Sequence, residues 1–262
     1  MAPTRVSTAV QLKDAYKRIN ESIAETAERC GRRADSVLML AVTKTASPDQ
    51  IRQLVEMGHC DLGESRVQQL IQRVAALDEF MGRRRAMGNV ATRPAAGVDL
   101  PKFVRWHMIG SLQRNKVKQV VPIVHLVHGI DSLRLAEELH NYGAQKDVTI
   151  DVLIQVNASG EISKHGVASP AVFHLAEQID SMIHLRLRGL MTMAPLSDDP
   201  ETARPAFART AEIFNDIRDA GIGEDHVTVL SMGMTNDYQV AIEEGANLVR
   251  IGRALFGDEE QG

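Results

Sequence analysis

The sequence predicts an α/β protein: a single (β/α)8 barrel of the TIM type with an extra N-terminal helix, residues 1–262 forming one domain. Three observations predict it. Eight short apolar runs alternate with helically patterned segments, as a parallel sheet requires. At 262 residues, eight such units favour closure into a barrel over an open sheet. The first strand–helix turn, Val42-Thr43-Lys44-Thr45, also lacks the Gly-rich fingerprint of an open nucleotide-binding sheet.

The elements follow in order. Residues 6–29 carry Val10, Ala15, Ile19 and Ile23 at helical spacing, with charges between them. Residues 37–42 form an unbroken apolar run that suits a strand buried on both faces. Pro48 opens a helix at a favoured early position and Gly58 closes it. A weak strand at 59–62 precedes a helix over 66–77. Strands at 104–109 and 124–130 precede helices at 115–121 and 132–141, the second capped by Asp131 or Ser132. The strand at 149–156 is the clearest and leads to a helix over 170–179. The last three strands fall at 185–190, 227–230 and 248–251. Helices at 201–220 and 237–244 follow the first two of these, and a final turn spans 253–256. Between the second helix and the third strand, residues 81–102 are rich in Gly, Arg, Pro and Ala without periodicity. They read as a mobile loop, in which Arg83-Arg84-Arg85 is a solvated charge run.

Net charge is −4, from 30 basic and 34 acidic residues, which gives no reason to expect a nucleic-acid or acidic-membrane partner. Cys30 and Cys60 belong to no metal or redox motif. Residues 1–10 hold no apolar core of signal length, and no run reaches a membrane span. A cytoplasmic protein is expected.

In such a barrel the chemistry sits at the C-terminal ends of the strands. Lys44 follows the first apolar run by two residues. Taken alone it reads as a surface lysine. In apolar company, desolvation would disfavour its ammonium form and free the amine to attack an aldehyde. Ser231-Met232-Gly233-Met234 and Gly252-Arg253 end the last two strands, each ahead of a helix. Small residues there form the recurrent phosphate site of barrels, where backbone amides meet a dianion. Arg250 lies within an apolar strand and needs an acceptor. A pyridine nitrogen would serve, as would a buried salt bridge to Glu64. His125 and His128 read as packing or solvent-facing residues, and Met191, Met193, Met232 and Met234 as barrel packing.

At these residues a family resemblance becomes specific. The matching stretches are Ala41-Val42-Thr43-Lys44-Thr45, Gly63-Glu64, Trp106-His107-Met108-Ile109-Gly110, Leu112-Gln113, Asn115-Lys116-Val117, Gln155-Val156-Asn157, Ser163-Lys164-His165-Gly166, Arg188-Gly189-Leu190-Met191, Leu230-Ser231-Met232-Gly233-Met234 and Val249-Arg250-Ile251-Gly252. In this ordered set the sequence resembles the pyridoxal phosphate homeostasis protein family, whose fold is the barrel of the alanine racemase N-terminal domain. The resemblance implies pyridoxal 5'-phosphate (PLP) as cofactor. It implies Lys44 as the lysine forming the imine, and Ser231, Met232, Gly233, Gly252 and Arg253 at the phosphate. It further implies Arg250 facing the pyridine nitrogen, with His107 and Ile109 lining the pocket. Ser65 stands where the family commonly has Asn, and Arg253 where it commonly has a small residue. Lys164 is a candidate second amine, able to receive PLP from Lys44.

The function expected is intracellular binding and delivery of this B6 vitamer without turnover, by a monomer serving PLP-dependent apo-enzymes. A racemase or decarboxylase of the same barrel is the alternative. Those enzymes draw an acid/base group, often a tyrosine, from a C-terminal β domain, whereas only ten residues follow Gly252 here. Tyr16, Tyr142 and Tyr238 match no such position. A Schiff-base aldolase on a sugar phosphate is the third reading.

Overall fold

The computed structural model describes residues 8–88, 101, 103–158, 165–195 and 197–257. Among these residues nine strands run in chain order: β1 (Leu38–Val42), β2 (Asp61–Glu64), β3 (Arg105–Met108), β4 (Leu126–Ile130), β5 (Ile150–Asn157), β6 (Val167–Ala168), β7 (Leu185–Thr192), β8 (Val229–Ser231) and β9 (Leu248–Ile251). All their pairings are parallel. Eight strands close a barrel in the order β1-β2-β3-β4-β5-β7-β8-β9, with β9 back on β1. The two-residue β6 pairs only with the end of β5, too short to leave a sequence signal. The expected barrel is therefore present.

The helices are α1 (Thr8–Arg29), α2 (Pro48–Glu56), α3 (Val67–Gly88), α4 (Val117–Val120), α5 (Leu133–Lys146), α6 (Ser169–Asp180), α7 (Arg204–Asp219), α8 (Tyr238–Glu243) and α9 (Arg253–Phe256). On α1, residues Leu12, Ala15, Ile19, Ile23 and Ala27 are buried, a three–four spacing that lays one face on the barrel. Proline edits two expected helices. Pro122 breaks the segment after Val120 into 3-10 turns, and Pro200 and Pro205 split the expected 201–220 helix into a 3-10 turn and α7. The loop expected from Met81 is helical through Gly88. There Arg84 pairs with Glu56 of α2 and Arg83 with Glu79. Residues 89–100 and 102 lie outside the described residues.

Strand alternation separates two cores. Trp106 and Met108, Val127, Val152 and Ile154, and Val249 and Ile251 join the large cluster between strands and helices. The residues between them point the other way, into the barrel. There Leu126, Leu153 and Met191 form a second, small cluster with Val229 against it. Leu40 also faces inward, beside Gly63, but much of the interior is polar. His107, His128, Ser231 and Arg250 occupy inward positions and are buried.

Candidate functional site

The cleft at the C-terminal ends of the strands has a volume of about 540 Å³. It is lined by Val42, Lys44, Thr45, Ser65, Ile109, Met193, Pro195, Ser197, residues 234–237, Arg250, Gly252 and Arg253. Six of the ten residues expected at the cofactor thus meet in one place: Lys44, Ser65, Ile109, Arg250, Gly252 and Arg253.

Lys44 sits in the 3-10 turn Thr43–Thr45, which is pinned from three sides. Thr43 Oγ1 donates to the Gly63 carbonyl and to Glu64 Oε2, both at 3.1 Å. Arg73 of α3 donates to the carbonyls of Lys44 (3.3 Å) and Ala46 (3.2 Å) and pairs with Glu64. Thr45 Oγ1 donates to the Gly257 carbonyl at 3.1 Å, tying the turn to the end of α9. The backbone under Lys44 is therefore fixed. Its side chain is exposed, not packed among apolar groups as its place after an apolar strand suggests.

The opposite wall is built from the β8–α8 and β9–α9 connections. Gly233 has φ +86°, and a Cβ there would lie 2.6 Å from the Ala241 Cβ, so only glycine makes this turn. The Gly233 carbonyl accepts from the Arg250 backbone at 3.0 Å. Asp237 Oδ1 accepts from the Met234 N–H at 2.6 Å, and Ala254 N–H donates to Thr235 Oγ1 at 3.4 Å, linking the two loops. Burial raises the Asp237 carboxyl above its ordinary range, against the lowering effect of the Met234 N–H and of Arg250.

Arg250 is buried and donates to the Ser231 carbonyl (2.8 Å), Ser231 Oγ (2.7 Å) and the Thr192 carbonyl (2.7 Å). A salt bridge to Glu64 does not form, because Glu64 is held by Arg73, Thr43 and the N–H groups of Ser65 and Arg66. Burial pulls Arg250 down to about 10, with Asp237 opposing, so it stays charged at neutral pH. Guanidinium carries five N–H donors. The three bonds made inside the barrel leave donors for a group in the cleft.

Four expected site residues do not line the cleft. Ser231 turns its hydroxyl into the barrel toward Arg250 and His128. Met232 is fully buried, and Gly233 shapes the turn behind the wall. His107 points down the barrel axis, within reach of His128 and Asp61. Inward alternation is legible in a strand, but the tilt of an inward side chain toward one rim or the other is not. His128, expected as a packing or solvent-facing residue, is packed in the interior and also within hydrogen-bonding reach of His107 and Ser231. Met193 and Met234, also expected as packing, line the cleft. Sequence reading missed Asp237, Thr192 and Arg73. Only Asp237, beside a recognised loop, carried a signal. Lys164 lies outside the described residues. No helix among the described residues is long and apolar enough to cross a membrane.

Comparison places this barrel and cleft in a defined class. Residues 18–260 match the alanine racemase N-terminal domain. The pyridoxal phosphate homeostasis protein of Aquifex aeolicus (strain VF5) is 35% identical over 248 residues, covering 94% of this chain and 98% of that one. The chain belongs to the pyridoxal phosphate homeostasis protein family. Among solved structures, a protein of unknown function from Bifidobacterium adolescentis is 34% identical, with a TM-score of 0.82 over 97% of this chain and 99% of that chain. PipY of Synechococcus elongatus PCC7942 with PLP bound is 27% identical, with a TM-score of 0.71 over 90% of this chain and all of that one (100%).

Proposed function

We propose that this chain binds PLP as an imine on Lys44 Nζ, and holds it for PLP-dependent apo-enzymes without turning over a substrate itself. The observation that carries the reading is the meeting of Lys44, Arg250 and the Gly252–Arg253 turn around one cleft. The residues present fit the cofactor. The cleft presents an amine at one rim, and Arg250 has donors not used by the protein. Gly252 offers backbone without a side chain, where a Cβ would stand 3.3 Å from the Val42 carbonyl. When bound, PLP supplies an aldehyde to the amine and a pyridine ring able to accept electrons.

The chain's own groups define what becomes of that chemistry. Arg250 would hold the ring nitrogen as a donor and, still charged at neutral pH, would not hand it a proton. An unprotonated ring withdraws electrons weakly, which suits storage better than carbanion chemistry. Ser65, at the end of β2, would be the group for the ring hydroxyl, with a shorter reach than an Asn. Gly252 and Arg253 would hold the phosphate. Ser231, Met232 and Gly233 serve it indirectly, by shaping the loop. Among the described cleft-lining residues the one carboxylate is Asp237, and its Oδ1 is engaged by the Met234 N–H. That supports binding without a second acid/base group.

The test is a visible spectrum of purified protein before and after borohydride, with Lys44→Ala alongside. A band near about 420 nm, trapped by reduction on Lys44 and lost in the variant, is expected. A wild type that cannot be labelled by PLP and borohydride, or one that racemises amino acids, overturns the reading. Light scattering in solution tests the monomer, and reactivation of an apo-enzyme tests delivery.

A further inference from the structure

A single file of polar side chains crosses the barrel interior from the cleft to the opposite rim. Its members are Arg250, Ser231, His128, His107 and Asp61, and none is more than 4% exposed. The file is shut off from bulk solvent along its length, and each group's donors and acceptors can be assigned in turn.

Arg250 can only donate. It gives a hydrogen bond to Ser231 Oγ at 2.7 Å, so the serine proton is directed elsewhere. Serine keeps a second lone pair, so its remaining neighbour, His128 Nδ1 at 3.3 Å, is fixed from the far end of the file. Asp61 only accepts, and with both imidazoles neutral this places the His107 and His128 protons on Nε2 and leaves His128 Nδ1 to accept. His128 accordingly carries its proton on Nε2, 2.9 Å from His107 Nδ1. That nitrogen accepts in its turn, leaving the His107 proton on Nε2, which faces Asp61 Oδ1 at 3.4 Å. Asp61, a carboxylate, can only accept. At the rim its two oxygens also take Arg105 Nε (2.6 Å) and Nη2 (2.5 Å). An anion that cannot donate stands at the far end, so with both imidazoles neutral the file has one direction, and Arg250, which cannot accept, is compatible with it. Burial favours the neutral form of both imidazoles, and the Arg250 charge further opposes protonation of His128.

The file answers a structural need. Arg250 is a buried cation whose direct acceptors are two carbonyls and a hydroxyl, all neutral. A guanidinium so held could rotate among them. A directed chain ending on a carboxylate favours one orientation.

We propose that Ser231, His128, His107 and Asp61 are positioning residues for Arg250: the file Arg250→Ser231→His128→His107→Asp61 orients the guanidinium's free donors toward the cofactor ring. This rests on the reading that the cleft holds PLP with its pyridine nitrogen at Arg250.

The first test needs no ligand. Long-range 1H–15N correlation on the wild type should show His107 and His128 neutral, each protonated on Nε2. A proton on Nδ1 of either overturns the proposal. The second test uses His128→Leu, which changes a residue outside the cleft lining. Borohydride should still trap PLP on Lys44, while the dissociation constant rises roughly tenfold, as for one lost buried hydrogen bond. The pyridine 15N resonance of labelled PLP should move toward its value in Arg250→Ala. Unchanged resonance and affinity would show that the file only packs the barrel, and the proposal fails. Should His128→Leu not fold, Asp61→Asn removes the terminal charge while keeping an acceptor for His107, and should move the same resonance less far. A wild type that binds no PLP sinks the cofactor reading alone, since the tautomers still decide whether the file exists.

Discussion

At the scale of single residues, two glycines behave oppositely for reasons visible in their surroundings. A Cβ on Gly110 would lie 2.1 Å from the Ser65 carbonyl oxygen, backbone that cannot swing aside. Gly110→Ala must push apart the ends of β2 and β3 beneath the cleft. We expect a loss of about 3 kcal/mol in urea unfolding and weaker PLP binding in a spectral titration, because Ser65 moves. Gly82, exposed on α3, has nothing within 4 Å of its would-be Cβ. Gly82→Ala is expected to raise stability by about 1 kcal/mol in the same assay, and a loss there would mean that α3 does not persist through this stretch. The same contrast explains what was legible in the sequence. Lys44, Gly252 and Arg250 announced themselves because a strand end has a fixed place in a barrel. His107 was misplaced because alternation reports inward or outward, not the rim toward which an inward ring leans.

At the scale of elements, Arg73 is the residue that joins α3 to the Lys44 turn. Glu64 is fully buried and its ion pair is with Arg73, while two other Arg73 bonds hold the carbonyls of Lys44 and Ala46. Arg73→Met leaves the carboxylate without its cation, although Thr43 and two N–H groups still serve it. We expect a cost of roughly 3 kcal/mol, read by chemical denaturation, together with slower borohydride trapping at Lys44 as its turn loosens. Equal stability would show that the other donors suffice. No periodicity in the sequence marks Arg73, because its partners come from strand and turn residues brought together only when the barrel closes. The end of α3 was hidden for a similar reason. Composition from Met81 onward speaks against a helix, yet Arg84 pairs with Glu56, and the guanidinium groups of Arg52 and Arg84 flank the Phe80 ring at 5.5 and 5.8 Å. Tertiary contacts outweigh weak local propensity there. Apolar runs, by contrast, marked strands such as β1 and β5 directly, whereas β2, expected as a weak strand at 59–62, lies at Asp61–Glu64, its signal weakened because two of its four residues are acidic.

For the whole molecule, the polar interior couples stability to pH. His59, His107 and His128 are all held neutral by burial, below the ordinary histidine range. Burial alone would raise Asp61, but hydrogen bonds from His107 and Arg105 and the Arg105 charge hold it well below the usual carboxylate range. Both shifts have the same sign. A group with a depressed folded value gives stability that is complete above its unfolded pKa and is lost as pH falls through the folded one. For the histidines the window opens at about 6.5 and extends downward. There the unfolded chain gains protons that the folded barrel refuses, at up to about 1.4 kcal/mol per pH unit for each ring. The aspartate adds to the loss only below about 3.9. Urea unfolding measured at intervals from pH 8 to pH 4.5 should therefore show a plateau above 6.5 and a steep fall beneath it. Replacing His59, which donates to the Asp61 carbonyl at 2.9 Å, by Gln removes one of the three protonation steps without entering the file to Arg250. The variant should fall less steeply over the same interval while keeping the wild-type pyridine resonance. If its slope matches the wild type, His59 does not contribute and the acid sensitivity rests on other groups.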